Sequence, residues 1–325
     1  MLVAVIAATL VFTFISGLND SGALVAASIS SGAIAPRQGL LLAALAAFVG
    51  FFVFESPVAS TIGRDLVESS AITPAVLLVA IASATAWILV AAYFGLPSSS
   101  THALLGGLIG AVTLTSGANA LLFAGFVKVL FALFFAPIIG FAAGYVLMEL
   151  TLYLTRGMPP HINAFFRQFQ PLNVIALAVS YGANDGQKGV ALITMALVAT
   201  AYQSSFQVPL SVKLLCAGIL ALGVGAGGWR TMRTIGRRIY KLRPVHAFTA
   251  QNASALIVLT AAVLGGPVST PQVVSASIIG VGTAERVNSV RWEIAGSIVR
   301  AWIMTIPASA LVAAALTLVV SRIGI

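Results

Sequence analysis

Long apolar runs alternate with short polar interruptions along the whole chain, and the interruptions recur in the same order in its two halves. The first run, 2–32, contains Ser16-Gly17-Leu18-Asn19-Asp20 and closes at Ser30, Ser31, Gly32 and Pro36. At about 1.5 Å per residue it crosses a membrane with an expected break in its middle. A second run, 39–62, carries Glu55 and Pro57 near one end, and a polar loop follows at 64–71. The run 74–96 stops at Pro97-Ser98-Ser99-Ser100-Thr101-His102, and the next limb, 103–115, is too short to cross. Residues 74–115 are therefore expected to form a re-entrant helical hairpin with its serine-rich tip at mid-membrane depth. Such backbone is tolerated only where protein or a water-filled cavity surrounds it. The run 118–150 completes the first half.

The second half repeats this order. It has 171–200 with Tyr181-Gly182-Ala183-Asn184-Asp185, then 208–228, a basic loop, a limb 247–265, the interruption Pro267-Val268-Ser269-Thr270-Pro271, a limb to Gly282, and a span 290–320. Asp20 matches Asp185, Thr61-Ile62-Gly63-Arg64 matches Thr234-Ile235-Gly236-Arg237, and Pro97 matches Pro267, with Gly110 matching Gly280. The offsets of 165, 173 and 170 residues indicate one duplicated unit. The runs are continuous rather than alternating with period two, which excludes a β-barrel reading.

The expected fold is an all-α integral membrane protein of two inverted-topology repeats, each with three spanning helices plus a re-entrant helical hairpin. Three crossings are odd in number, so the second repeat runs opposite to the first. The expected divisions are a first repeat at 1–153, an interfacial linker at 154–170 and a second repeat at 171–325. The linker sets Arg156, His161 and Arg167 among Ile162, Phe165, Phe166 and Phe169, a pattern that suits the interface plane.

Composition agrees. The chain has 325 residues, 59% hydrophobic and only 8% charged, with mean hydropathy +1.05. A soluble chain carries roughly 25% charged residues. The formal charge of +9 sits in short loops and sets topology rather than nucleic-acid binding. The strongly basic loop of Arg230, Arg233, Arg237, Arg238, Lys241 and Arg243 goes inside, with Arg37, Arg156, Arg167, Arg286 and Arg291. The near-neutral loop 64–71 and both termini go outside, Arg322 being the exception. The expected location is a bacterial inner membrane. The apolar start lacks a basic n-region and is expected to be a retained helix. The one cysteine, Cys216, excludes an intrachain disulfide and is expected to pack.

The interruptions carry the chemistry. A half-helix starting at Ser98–Thr101 points free N–H groups and a positive dipole end into the membrane, a ready anion site. Ser99, Ser100, Thr101, Ser269 and Thr270 add hydroxyls, so two facing tips would cradle a tetrahedral oxyanion. Taken singly, such clusters merely cap helices. Asn19, Asp20, Asn184 and Asp185 are costly in hydrocarbon. A carboxylate beside an anion needs a cation between them or a proton, so Asp20 and Asp185 are candidate coupling-ion sites. The structural alternative is a cap at a helix break. Lys188 is an i, i+3 neighbour of Asp185 and could pair with it or touch the anion. His102 suits a structural donor better than a proton relay. Gln251, Asn252 and Gln272 would satisfy partners within the bundle, and Glu55 and Lys128 have no assigned role.

These residues resemble the inorganic phosphate transporter family, which carries a duplicated Gly-Ala-Asn-Asp-Val-Ala-Asn-Ala signature and Pro-Val-Ser-Thr-Thr-His in each half. Gly182-Ala183-Asn184-Asp185 matches four signature positions, and Gly17-Leu18-Asn19-Asp20 matches three. Pro97–His102 is close to the second motif; Pro267-Val268-Ser269-Thr270 matches its opening and departs at Pro271-Gln272. The run 182–189 is similar to bacterial low-affinity phosphate transporters, and Ala301–Pro307 also fits. The resemblance implies secondary transport of inorganic phosphate with Na⁺ or H⁺, in some members with a divalent metal carried alongside, and sulfate permeases belong to the same family. It implies no resident cofactor or metal site. The signature's second Asn is absent in both halves, where Ala23 and Lys188 stand. That Asn would help hold sodium, and a Lys ammonium could take a cation's place, so H⁺ coupling is expected over Na⁺.

The leading expectation is a phosphate symporter with alternating access and a midplane anion site, with a sulfate permease as the alternative. An ionised Asp accepts a bond from HPO₄²⁻ and repels SO₄²⁻, which leans towards phosphate. An intramembrane aspartyl protease using Asp20 and Asp185 is the rival from another class. It lacks Gly-x-Gly-Asp and leaves the duplicated tips unexplained. Expected partners are inorganic phosphate and the lipid bilayer, with no nucleic acid, and a homo-oligomer is compatible with the sequence.

Overall fold

Proline and glycine set the helix boundaries. Pro36, Pro57, Pro74 and Pro244 lie in first turns, where a missing N–H costs nothing. Gly95, at φ +67°, turns the chain out of a helix in the left-handed conformation that L side chains resist. The computed structural model describes residues 1–159 and 161–323. In chain order the helices are α1 (Leu2–Ser30), α2 (Pro36–Gly50), α3 (Pro57–Arg64), α4 (Pro74–Phe94), α5 (Ser100–Ser116) and α6 (Phe123–Leu154). They continue with α7 (Ile162–Asn184), α8 (Gln187–Ala199), α9 (Leu210–Ala226), α10 (Trp229–Arg233), α11 (Pro244–Val263), α12 (Thr270–Arg286) and α13 (Trp292–Ile323). No strand is present among the described residues; a lone bridge joins Val67 to Leu121.

Among the described residues, five helices, α1, α4, α6, α11 and α13, are long and apolar enough to cross a membrane. The segment α9 is followed by a bend of 56° into residues 229–238. The matching run of the first half, 39–62, is likewise split, into α2 and α3 with irregular backbone at 51–56. Glu55 lies in that gap, where Lys213 donates to the carbonyls of Phe54 and Glu55. Lys128 is exposed on α6.

Packing crosses between the halves. Helix α1 lies on α9 and α2 on α7, while α5 packs on α13 and α12 on α6. Small residues permit the last two crossings. A Cβ at Gly110 would strike the Ala310 carbonyl, and one at Gly280 the Phe141 carbonyl, so both approaches are backbone against side-chain-free surface. These are the two glycines matched across the repeat. The long helices α6 and α13 each contain a proline near mid-length, Pro137 and Pro307.

One expectation needs correction. Helix α1 does not break at Gly17–Asp20 but runs unbroken from Leu2 to Ser30. Its glycines admit neighbouring backbone instead: Gly17 faces the Leu220 carbonyl and Gly22 faces Gly228 and Met232. Within the expected 154–170 linker, residues 162–170 are helical and form the first turns of α7, which passes through Pro171. Gln170 is buried there, and Ser28 Oγ lies 2.7 Å from its Oε1 and 2.9 Å from Gln251 Oε1, joining α1, α7 and α11.

Candidate functional site

Each tip is a helix start pinned to the middle of a long helix. For the first, the Trp302 indole donates to the Pro97 carbonyl at 2.9 Å, and Trp87 Nε1 lies 3.1 Å from Ser98 Oγ and 3.2 Å from Thr305 Oγ1. Trp302 and Thr305 lie near the centre of 32-residue α13. For the second tip, Gly140 on α6 is packed against the Val273 carbonyl, close to Pro137. The first turns of α5 and α12 thus start deep inside the bundle, and both are buried.

The Asn–Asp pairs sit against these starts in matching fashion. Asn19 Nδ2 reaches the Ser98 carbonyl at 3.4 Å; Asn184 donates to the Gly266 carbonyl at 2.9 Å and accepts from the Val268 N–H at 3.1 Å. Both asparagines therefore brace tip backbone. Each aspartate takes the first hydroxyl of its own half's helix. Ser100 Oγ donates to Asp20 Oδ2 at 3.4 Å, and Thr270 Oγ1 donates to Asp185 Oδ2 at 2.5 Å.

Contacts between the halves close the cluster. Thr101 Oγ1 donates to the Val268 carbonyl at 3.2 Å, and the Tyr181 hydroxyl donates to Asp20 Oδ2 at 3.3 Å. The Lys188 ammonium is 2.6 Å from Asp185 Oδ1, 2.6 Å from Ser100 Oγ and 3.2 Å from Thr101 Oγ1. Helix α7 ends at Asn184 and α8 begins at Gln187, so this copy of the motif is broken and turns Lys188 back toward Asp185. Asp20, Asp185 and Lys188 are each at most 3% exposed.

The expected residues Ser100, Thr101, Thr270, Asp20, Asp185 and Lys188 thus meet in one sealed cluster. Ser99 and Ser269 make no bond within it. Ser99 Oγ accepts from the His102 N–H at 3.1 Å and caps α5, whereas Ser269 Oγ is buried without a partner among the described residues. His102 stands beside the cluster, its Nδ1 3.5 Å from Gln272 Nε2 and its ring edge-on to Phe134. No group of three or more His, Cys, Asp or Glu suited to a metal occurs among the described residues.

Sequence reasoning missed Tyr181, Thr231 and Gln187. Thr231 Oγ1 lies 3.2 Å from Asn19 Oδ1, and Gln187 Oε1 accepts from the Ala59 N–H at 2.9 Å. Tyr181 opens the second Asn–Asp copy, and Thr231 lies one turn before the repeated Thr-Ile-Gly-Arg; adjacency to repeated motifs was the available signal.

Chemically, the cluster offers two helix starts with free N–H groups, several hydroxyls and one ammonium to an oxyanion. Its two carboxylates against one ammonium leave a place for one more positive charge.

The sequence profile described as "Phosphate transporter family" matches twice, at residues 16–159 and 151–313. A "Probable low-affinity inorganic phosphate transporter" of Rhizobium meliloti (strain 1021) is 37% identical over 97% of this chain and 95% of its own length. One of the same description from Bacillus subtilis (strain 168) is 36% identical over 95% and 93%. A putative phosphate permease of Pyrococcus furiosus is 27% identical over 91% and 90%. Among solved structures, "The sodium-dependent phosphate transporter" shares the fold, with TM-score 0.88 over 99% of both chains at 23% identity.

Proposed function

Because the chain belongs to the phosphate transporter family, we propose that it is a secondary active symporter of inorganic phosphate, driven by protons rather than Na⁺. In this reading a midplane site is opened alternately to the two sides by two inverted repeats, 1–153 and 171–325. The reciprocal packing of α5 on α13 and α12 on α6, and the two family matches, support the repeats. The protein is a multi-pass membrane protein, and its relatives are named for transport rather than catalysis, which removes the protease reading. None of the relatives described above supports the sulfate alternative.

The observation that carries the reading is the junction of the two tips, where Thr101 bonds to Val268 above a cluster of Asp20, Asp185 and Lys188. Phosphate would take its bonds from the starts of α5 and α12, from Ser100, Thr101, Ser269 and Thr270, and from Lys188. Asn19 and Asn184 hold the tips in place, and Asp20 and Asp185 handle the coupling charge. Ser269 Oγ, buried and without a partner among the described residues, is a donor awaiting an acceptor. Proton coupling is favoured because the Lys188 ammonium already lies among three oxygens, as a bound monovalent cation would. The basic loop 230–243 then faces the cytoplasm and both termini face outward, in a bacterial inner membrane.

Uptake of labelled phosphate into proteoliposomes tests this. Excess unlabelled phosphate should compete and excess sulfate should not. Equal competition by sulfate would contradict the substrate assignment, and an absence of saturable uptake would contradict the function.

A further inference from the structure

We propose that the two matched halves of the site differ in ion binding: the half at Asp185 carries a built-in cation, the Lys188 ammonium, and the half at Asp20 is the one place where a cation exchanges in each cycle. The inference rests on the symporter reading above and assigns its coupling charge to one carboxylate.

The halves share their bracing plan and differ in charge. Each aspartate follows a bracing asparagine, and each accepts the hydroxyl that opens its own half's second limb, Ser100 for Asp20 and Thr270 for Asp185. Among the described residues, Asp185 has a cation at ion-pair distance and Asp20 has none. At the position equivalent to Lys188 the first half has Ala23, buried and without charge. Among the described residues the ion pairs are Lys188–Asp185, Arg243–Glu285 and His246–Glu285, and Asp20 is in none. Its side-chain partners, Asn19, Ser100 and Tyr181, are all neutral. The charged or titratable groups acting on it from the helices packed around α1 are Lys188, Asp185 and Tyr181.

A buried carboxylate with neutral partners is unstable as an anion, and more so with phosphate beside it. It needs a cation or a proton whenever the anion is bound. Asp185 has no such need, because its ammonium is covalently attached and cannot leave. Ser100 links the two halves: its hydroxyl accepts from Lys188 and donates to Asp20. In the cycle, Asp20 takes a proton from water on the loading side, phosphate binds against a cluster without net charge, and Asp20 returns the proton to water on the far side.

Two measurements test this. The first is Na⁺-specific thermal stabilisation, NaCl against choline chloride, of the wild type, Lys188→Asn and Lys188→Ser. The wild type should show no Na⁺-specific shift, while at least one variant, its ammonium replaced by a neutral oxygen donor, should gain one. A wild-type Na⁺ shift that neither variant increases, or no Na⁺ shift in any folded variant, would overturn the built-in cation. The second is the ratio of phosphate uptake with and without an imposed pH gradient, for the wild type and Asp20→Asn. The ratio should fall to about one in Asp20→Asn; a ratio equal to that of the wild type overturns the assignment to Asp20. Wild-type uptake driven by Na⁺ alone would count against proton coupling itself. It leaves the assignment to Asp20 to be judged by the same ratio under a Na⁺ gradient.

Discussion

Thr101 Oγ1 and the Val268 carbonyl, 3.2 Å apart and 167 residues distant in sequence, bring the starts of α5 and α12 into contact over the buried cluster. The same hydroxyl is 3.2 Å from the Lys188 ammonium. Thr101→Val keeps the shape and removes both contacts. Leaving buried polar groups unsatisfied costs about 1–3 kcal/mol. We expect a lower unfolding midpoint in detergent and phosphate uptake reduced at least several-fold, with Thr101→Ser restoring most of both. Unchanged uptake in a destabilised Thr101→Val protein would show that the contact only holds the fold.

The Lys188–Asp185 pair is buried, and removing one partner strands the other charge. Single variants Lys188→Met and Asp185→Asn should each lose about 3–5 kcal/mol of stability. The double variant should lose less than the two combined, by about 1 kcal/mol or more, because neither charge is then alone. Strict additivity in a denaturant double-mutant cycle would mean that the two groups do not act as a pair.

Much of this site was legible because it is written twice. The Asn–Asp pairs and the Ser/Thr tips recur at near-constant offset, and single copies would have passed for helix caps. What the sequence did not disclose depends on contacts between distant segments. The Gly17–Asp20 stretch looks like a helix break, yet α1 stays helical because its glycines admit the backbone of the region 220–232 and its polar side chains find partners across the bundle. Tyr181 looked like one more aromatic in an apolar run, and its bond to Asp20 exists only because α7 lies against α1. The segment 162–170 has an interfacial composition, but Gln170 is drawn inside by Ser28 and by the Pro244 carbonyl.

That polar junction should bear on stability more than on transport chemistry. Ser28→Ala removes a hydroxyl that serves two buried amides, Gln170 and Gln251. A loss of about 1–3 kcal/mol is expected, with the apparent phosphate affinity changed less than threefold. A large affinity change with little destabilisation would place Ser28 nearer the substrate path than its packing implies.

The glycine crossings give a matched pair of tests. Gly110→Val and Gly280→Val each force a side chain against a neighbouring helix carbonyl. Overpacking of this kind costs about 1–3 kcal/mol. Both should lower the unfolding midpoint by similar amounts, since the two crossings are built alike. A tolerated substitution at one site alone would break the correspondence between the halves.

The central claim is tested most directly by accumulation of labelled phosphate in Na⁺-free proteoliposomes under an inwardly directed proton gradient. Phosphate should accumulate above the external concentration, and the accumulation should collapse when a protonophore is added. Accumulation that requires Na⁺ and ignores the protonophore would contradict the claim.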